Sequence, residues 1–231
     1  MLATYAAGES GARRAARDGA AVIVVDVFRA STVIAVLVRK GVRVVPVASV
    51  EEAAHIGADY RVGERGGAKL AGFDFGNSPT ELEGSELTAG ATVVLSTTNG
   101  TRVIEAARGA SAILTGAFVN ANAVADELAG GAYETRVAMI GCGWKGRQAS
   151  EDESAAGAIL HRLKEKGAEL DERAERVVDL YLTRPERSLR RNSAARRLVR
   201  LGYGKDLDFC LAENTVPVVP RLVGEAFVGQ R

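Results

Sequence analysis

Histidine, cysteine and tryptophan are scarce in this chain of 231 residues, which has two histidines, two cysteines and one tryptophan. Two cysteines cannot build a disulfide framework or a four-cysteine zinc site. Any hydrolytic chemistry would therefore depend on carboxylates, hydroxyls, amides, arginine and lysine. A catalytic metal would have oxygen ligands, which favours Mg²⁺ or Mn²⁺ over zinc.

Long apolar runs and a charge imbalance are also lacking. The longest apolar runs, at residues 20–25 and 33–38, are far shorter than the roughly 20 residues of a membrane span. The first ten residues have no basic stretch followed by an apolar one, so we expect no signal peptide and a cytoplasmic protein. A net charge of +1 gives no argument for nucleic acid as a partner.

What the chain does contain is a regular alternation of strand and helix patterns. Apolar residues make up 47% and charged residues 26%, as in globular proteins with a core. Six strand patterns alternate with helices, which predicts an α/β layered sheet. The predicted strands are residues 20–26, 42–47, 60–63, 92–96, 112–114 and 135–140. The predicted helices are residues 31–40, 49–57, 100–108, 122–128 and 150–166.

Three segments depart from this alternation. Residues 64–78 hold four glycines without periodicity, and a connection of this length in a compact domain is usually functional. Residues 170–203 look helical, and the seven arginines between 184 and 200 are interpreted as a solvated or subunit-facing surface rather than a nucleic-acid contact. Pro217 and Pro220 predict a short terminal strand or extended segment.

Polar residues follow four of the predicted strands. Ligands of open α/β sheets bind beyond the carboxyl ends of the strands, so we expect these residues to share one crevice. They are Asp26, Arg29, Ser31 and Thr32; Glu64, Arg65 and Asn77; Thr97, Thr98, Asn99, Gly100 and Thr101; and Lys145, Arg147, Glu151 and Asp152.

Two of these clusters are suited to bind an anion, and the carboxylates are suited to bind a metal. The sequences STTNGT (96–101) and RAST (29–32) each open a helix with small hydroxyl residues, which can offer donors to an anion or simply cap the helix. Asp26 ends a buried strand, where a carboxylate needs a partner or a metal. Glu151 and Asp152 begin a helix, where they could instead complement its dipole.

Two further patterns suggest competing functions. GCGWKG at residues 141–146 matches G-x-G-x-x-G after a strand, as in dinucleotide-binding proteins. The match is poor, because helical sequence follows where the next strand and its acidic residue should come. Asp26 could also be compared with the nucleophile of phosphatases that carry D-x-D, but residue 28 is Phe, which disfavours an aspartyl-phosphate route.

Four motifs, taken in order, resemble one family. DVFRAST (26–32), GERGG (63–67) with GFDFGNSP (72–79), STTNGT (96–101) and GR-x-A-x-EDE-x-AAG (146–157) resemble the 2-phosphosulfolactate phosphatase (ComB-like) family. The resemblance covers roughly residues 20–160. It implies a three-layer α/β/α fold with a mixed sheet and Mg²⁺-dependent hydrolysis of 2-phospho-3-sulfolactate to sulfolactate and phosphate. That step belongs to sulfonate metabolism and coenzyme M biosynthesis.

The resemblance also assigns roles to the clusters. We expect one domain over residues 1–231, in which Asp26, Glu64, Glu151 and Asp152 serve catalysis and hold Mg²⁺, and the remaining polar residues above bind a small phosphorylated acid. The alternatives are a dinucleotide-dependent oxidoreductase that uses residues 141–146 and a non-catalytic anion-binding protein. We expect no nucleic-acid or membrane partner, and the sequence leaves a homodimer open.

Overall fold

The computed structural model describes residues 1–131, 133, 135–144 and 147–229. The strands of this part are β1 (Leu2–Ala7), β2 (Ala21–Val25), β3 (Arg43–Val47), β4 (Tyr60–Arg65), β5 (Ala68–Lys69), β6 (Thr92–Ser96), β7 (Ala112–Gly116), β8 (Arg136–Gly141), β9 (Glu169–Leu170), β10 (Arg221–Val223) and β11 (Ala226–Val228). The helices are α1 (Gly8–Arg17), α2 (Ala30–Arg39), α3 (Val50–His55), α4 (Pro79–Glu83), α5 (Gly100–Ala106), α6 (Ala121–Ala129), α7 (Ser150–Glu165), α8 (Glu172–Thr183), α9 (Glu186–Leu189), α10 (Ser193–Arg200) and α11 (Gly204–Leu211).

Local sequence explains the central elements. All five residues of β2 are apolar and buried, as expected of a strand covered on both faces. The first nine residues of α2 are buried as well, so this helix lies inside the molecule rather than on its surface. Helix α3 begins as the sequence predicts, because the Ser49 hydroxyl accepts a hydrogen bond from the Glu52 N–H at 3.0 Å.

The strands of the described residues form one mixed sheet in the order β5-β4-β6-β3-β11-β10-β7-β2-β8-β1-β9. One parallel group contains β4, β6 and β3, and the other contains β7, β2, β8, β1 and β9. The hairpin β10–β11 separates them, and its three pairings, with β7, within itself and with β3, are all antiparallel. Three reversals mean that the two parallel groups run in opposite directions.

Helices pack against both faces of this sheet. Side chains from both parallel groups, Val24 of β2 and Leu95 of β6, belong to one hydrophobic cluster together with residues of α2 and α5. The alternate side chains of β2, including Ile23, belong to a second cluster with α6, α7 and α8. Helices α2 and α5 therefore pack on one face of β2, while α6, α7 and α8 cover its other face.

This architecture confirms the predicted α/β fold with a mixed, largely parallel sheet between helical layers. A single sheet with strands from residue 2 to residue 228 supports the expectation of one domain, which stays a prediction. None of the helices in the described ranges is long and apolar enough to cross a bilayer.

Several predicted boundaries were wrong or incomplete. The strand β1 and the helix α1 precede the first predicted strand, and the segment 64–78 is not wholly irregular, since β4 continues to Arg65 and pairs with β5. The helical segment 170–203 is divided among α8, α9 and α10, and α11 follows it. The terminal strands begin only after Pro220, because proline lacks the N–H that a paired strand requires.

The contact between α7 and α8 gives a test of the packing. Gly157 of α7 lies so close to α8 that a Cβ there would be 2.1 Å from the Val177 carbonyl oxygen. We expect Gly157→Ala to lower the free energy of unfolding by about 1–3 kcal/mol, because one helix must move. Thermal and chemical denaturation measure this loss.

Gly204→Ala is the matched control for this experiment. Gly204 is the first residue of α11, and a Cβ there would contact nothing within 4 Å. We expect that variant to be neutral or slightly stabilised, because alanine favours a helix more than glycine does. Equal stability of the two variants would contradict the close packing of α7 and α8.

Candidate active site

A pocket lies beyond the carboxyl ends of β2, β4, β6 and β8, and its walls surround about 490 Å³, part of which is open to solvent. All four carboxylates proposed from the sequence line it: Asp26, Glu64, Glu151 and Asp152. Arg29, Asn77 and Asn99 line it as well. The structure therefore brings together residues from all four sequence motifs.

The close approach of two helix starts positions this pocket. A Cβ on Gly100, the first residue of α5, would lie 2.7 Å from the Ala30 Cβ and 2.9 Å from Asp26 Oδ2. Only glycine leaves room for α2 and α5 to begin side by side at this distance. Residue 100 is thus glycine because α2 and α5, which follow strands of the two parallel groups, pack closely at this point.

Asp26 stands directly after β2, just before α2, and its side chain is partly exposed to the pocket. Its Oδ1 accepts a hydrogen bond from the Ala30 N–H at 3.2 Å. Burial raises the pKa of Asp26 to about 7; the charges of Glu64 and Glu151 add to the rise, and the Ala30 hydrogen bond opposes it. No hydrogen bond to Oδ2 is found among the described residues, so this oxygen is available to a ligand.

Glu64 holds the two loops beside it in place. Its Oε1 accepts a hydrogen bond from the Thr98 N–H at 2.6 Å, and its Oε2 accepts one from the Gly67 N–H at 2.5 Å. Both loops thus depend on one carboxylate that is 6% exposed. Glu64 therefore positions backbone around the pocket, whatever else it binds.

Asp152 has a similar role at the start of α7. Its Oδ1 accepts from the Val27 N–H and its Oδ2 from the Gly143 N–H, both at 2.9 Å. Burial raises the pKa of Asp152 well above its usual value, and the charges of Glu151 and Asp26 raise it further. The carboxylate joins the loop after β2 to the loop after β8.

Glu151 faces the pocket from the first turn of α7. Its Oε2 accepts hydrogen bonds from Asn192 Nδ2 at 2.6 Å and from the Ser150 hydroxyl at 3.4 Å. Asn192 also caps α10, since its Oδ1 accepts from the Ala195 N–H at 2.8 Å. Burial raises the pKa of Glu151; its own backbone N–H, Asn192, Ser150 and the charge of Arg197 oppose the rise. Among the described residues, the side-chain hydrogen bonds to Glu151 all reach Oε2.

The charge of the pocket suits a cation. Four carboxylates line it, but only two guanidinium groups do so among the described residues, and one of those is already paired. Buried charge of one sign is costly unless an opposite charge compensates it. Oxygen ligands of this kind fit a divalent cation such as Mg²⁺.

The carboxylates do not form a complete metal site by themselves. Within the described ranges, no group of three or more His, Cys, Asp or Glu side chains could hold an ion alone. Mg²⁺ usually keeps several waters and takes phosphate oxygens in addition to one or two carboxylates. Asp26 and Glu151, each with one oxygen for which no side-chain or N–H donor from another described residue is found, are the pair that fits this requirement.

Arg29 lines the pocket, yet its guanidinium is occupied by the protein. It donates to Asp206 Oδ2 and to the Gly67 carbonyl, both at 2.7 Å, and it lies over the Tyr203 ring at 4.3 Å. The residue is 2% exposed. The expected contact of Arg29 with an anion therefore has to compete with a buried ion pair.

The hydroxyl groups of both proposed anion cradles also have protein partners. The Ser31 hydroxyl donates to the Val24 carbonyl and accepts from the Asp26 N–H, and the Thr32 hydroxyl donates to the Val27 carbonyl. In the second cradle, the Thr101 hydroxyl donates to the Thr97 carbonyl, and the Thr98 hydroxyl accepts from the Gly66 N–H. These hydroxyls hold the helix starts in place.

The remaining basic residues differ in position from the expectation. Arg65 does not line the pocket, because its guanidinium donates to the Glu64 carbonyl and to the Ser96 hydroxyl. Arg147 is exposed, and its backbone pairs with that of Trp144. Lys145 lies outside the described residues.

Sequence reasoning missed Arg197. This residue belongs to the arginine-rich segment interpreted as a solvated surface, but it lines the pocket from α10, and its Cζ lies 3.8 Å from the centre of the Trp144 ring. The sequence offered one indication that Arg197 is not fully exposed: it precedes the buried Leu198, at the edge of the apolar face of α10. Only the tertiary structure shows that this edge of α10 borders the pocket formed by the four motifs.

The loop after β8 argues against a dinucleotide site. The Gly143 N–H, which such a site would offer to a phosphate, already donates to Asp152. Glu151, Asp152 and Glu153 occupy the first turn of α7, where a bound pyrophosphate would be repelled. Backbone geometry explains why residue 143 is glycine: its φ is +66°, and a Cβ there would lie 2.2 Å from the Arg147 carbonyl oxygen.

Comparison with known proteins points to the same family as the sequence motifs. A family described as 2-phosphosulpholactate phosphatase matches residues 9–225. Relatives with the name probable 2-phosphosulfolactate phosphatase are found in Carboxydothermus hydrogenoformans, Gloeobacter violaceus and Thermotoga maritima. The first is 39% identical over 87% of this chain and 85% of its own, and the second is 40% identical over 86% of each. The third is 37% identical over 89% of this chain and 90% of its own.

The Arg29–Asp206 pair makes a prediction about stability. Both side chains are almost completely buried, at 1% and 0% exposure. We expect Asp206→Asn to lower the free energy of unfolding by about 3–5 kcal/mol, because it leaves the arginine charge buried without a counter-charge. Denaturation in urea, followed by circular dichroism, measures the loss.

An exposed ion pair provides the control. Glu9 pairs with Arg13 on α1, with 32% and 58% of the side chains exposed. Glu9→Gln is expected to change stability by less than about 1 kcal/mol. If Asp206→Asn costs no more than this control, the buried pair does not organise the site.

Proposed function

Because this chain belongs to the 2-phosphosulfolactate phosphatase family, we propose that it hydrolyses 2-phospho-3-sulfolactate to sulfolactate and inorganic phosphate with Mg²⁺ as the cofactor. The observation that carries this proposal is the pocket in which three buried carboxylates, Glu64, Glu151 and Asp152, meet the partly exposed Asp26. Such a surplus of negative charge would repel a phosphorylated acid unless a cation neutralised it. Metal-dependent phosphate chemistry is the function that suits this donor set.

In this proposal, Asp26 Oδ2 and Glu151 Oε1 hold the cation. A bound Mg²⁺ supplies charge that neutralises the phosphoryl oxygens as the phosphorus–oxygen ester bond breaks. Glu64 and Asp152 act differently, because both oxygens of each accept backbone N–H groups. These two carboxylates hold the surrounding loops in position, and the loops in turn position the substrate.

Asn77 is suited to orient the attacking water. The residue is 3% exposed, lines the pocket, and its Oδ1 has no hydrogen-bond donor among the described residues. A buried acceptor without a partner is costly, and a water O–H would satisfy it. The water oxygen then bonds to phosphorus and gives up a proton to solvent, while the ester bond breaks and the leaving sulfolactate oxygen takes up a proton.

The two sets of carboxylates predict different effects of substitution. We expect Asp26→Asn and Glu151→Gln to lower kcat/KM by more than about 100-fold and to abolish Mg²⁺ binding measured by calorimetry, because each removes a proposed ligand. Glu64→Gln and Asp152→Asn are expected to cost about 10- to 100-fold, as substitutions around a metal site commonly do.

Asp18→Asn serves as the control, since Asp18 is exposed and does not line the pocket. It should leave both Mg²⁺ binding and turnover unchanged. Near-normal Mg²⁺-dependent turnover by Asp26→Asn would remove this residue from the metal site and overturn the proposed ligand pair.

The activity itself is tested by phosphate release. We expect the protein to release phosphate from 2-phospho-3-sulfolactate with Mg²⁺, and to lose this activity with EDTA and regain it when Mg²⁺ is restored. A panel of other phosphorylated acids, including 2-phospholactate and phosphoglycolate, shows how narrow the selectivity is. Binding of 2-phospho-3-sulfolactate without phosphate release under any metal would instead identify a non-catalytic anion-binding protein.

A further inference from the structure

Arg197 is the guanidinium of the pocket for which no hydrogen bond or ion pair is found among the described residues, although its charge opposes the rise in the pKa of Glu151. Its Nε is buried and has no hydrogen-bond partner within the part of the chain that the structure describes. Neighbouring arginines differ, since Arg184 pairs with Glu153 and Arg190 pairs with Glu186 and Asp208. A buried N–H donor without an acceptor is unfavourable, so its position beside a pocket indicates a ligand that supplies the acceptor.

Packing holds the Arg197 side chain in place. Its Cζ lies 3.8 Å from the centre of the Trp144 ring, a stacked arrangement that suits a planar guanidinium. On the other side lies the turn at Gly67, where a Cβ would be 3.8 Å from Arg197 Nε and 2.9 Å from Leu201 Cδ1. The guanidinium is thus positioned between two loops before any ligand arrives.

The substrate of the proposed function carries a sulfonate besides its phosphate, and the two groups need different partners. The phosphate belongs with the cation, on the side of the carboxylates. Arg29 cannot readily take the sulfonate, because Asp206 and the Gly67 carbonyl already occupy its guanidinium. Arg197 is then the remaining cationic side chain described in the pocket.

We propose that Arg197, stacked on Trp144, binds the sulfonate of the substrate and thereby selects for it. This assignment rests on the proposed function. A sulfonate stays ionised and presents several oxygens, which fit the parallel N–H donors of a guanidinium. Trp144 fixes the plane of those donors, so less conformational freedom is lost when the sulfonate binds.

A pair of substrates that differ only in the sulfonate tests this assignment. 2-Phospholactate has the carboxylate and phosphate of 2-phospho-3-sulfolactate but a methyl group in place of the sulfonated carbon. For Arg197→Met, we expect KM for 2-phospho-3-sulfolactate to rise roughly 10- to 150-fold, as for loss of a charge-assisted contact. KM for 2-phospholactate should change by less than about threefold. For Arg197→Lys, KM for 2-phospho-3-sulfolactate should lie between the values of the wild type and of Arg197→Met, because lysine keeps the charge but loses the planar donors.

Arg196→Met is the matched control, because Arg196 lies on the same helix, is exposed and does not line the pocket. It removes the same charge and should leave both KM values unchanged. Circular dichroism and thermal unfolding of each variant show whether it is folded. Equal proportional losses of Arg197→Met on both substrates, or no loss on either, would overturn the proposal.

Binding without turnover provides a second measurement. Trp144 is the only tryptophan of the chain, so its fluorescence reports directly on the residue that contacts Arg197. With Mg²⁺ present, we expect sulfolactate to change this fluorescence and to bind more tightly than lactate, as confirmed by calorimetry. Arg197→Met should remove the preference for sulfolactate, and retention of that preference would contradict the proposal.

The binding experiment also separates the two hypotheses. If the wild-type protein released no phosphate from any substrate, the proposed function would fail, yet the comparison of sulfolactate with lactate would still test Arg197. If phosphate release occurred and Arg197→Met kept full selectivity, the proposed function would stand and the sulfonate contact would be wrong.

Discussion

The buried ion pair between Arg29 and Asp206 is the constraint on which the pocket depends. Arg29 stands at the start of α2, and Asp206 lies in α11, 177 residues later. Asp206 also accepts hydrogen bonds from the hydroxyls of Ser78 and Thr80, and Arg29 holds the Gly67 carbonyl. One pair therefore connects the first motif, the glycine-rich segment and the C-terminal helices that close the pocket.

Around this pair, the site has far more negative than positive charge. Asp152 and Glu64 are stabilised by the backbone N–H groups that they accept, which also determine the shape of two loops. Asp26 and Glu151 each keep one oxygen for which no side-chain or N–H donor from another described residue is found, and burial raises the pKa of both. A cation would relieve this cost, and Arg197 would give the substrate a second point of attachment.

Much of the fold could be predicted from local patterns, because a buried strand and an amphipathic helix each have a recognisable periodicity. The carboxylates were found for a related reason, since an acidic residue at the end of an apolar strand is conspicuous. Arg197 could not be found in this way. It is one of seven arginines within residues 184–200, and only its stacking on Trp144 distinguishes it from the exposed Arg196.

The sequence by itself determined the alternation of the central strands and helices, the motifs and the family, since all of these depend on residues close together in the chain. Tertiary structure decided how the motifs meet. The hairpin β10–β11 makes the two parallel groups run in opposite directions, so strand direction alone does not bring Asp26 and Asn99 together. Helices α2 and α5 share one hydrophobic cluster with side chains of both groups, and they begin close together at Ala30 and Gly100. Long-range packing also gave Arg29 its partner Asp206, which no local pattern records. The hydroxyls of Ser31 and Thr32, by contrast, donate to carbonyls only seven and five residues earlier in the chain.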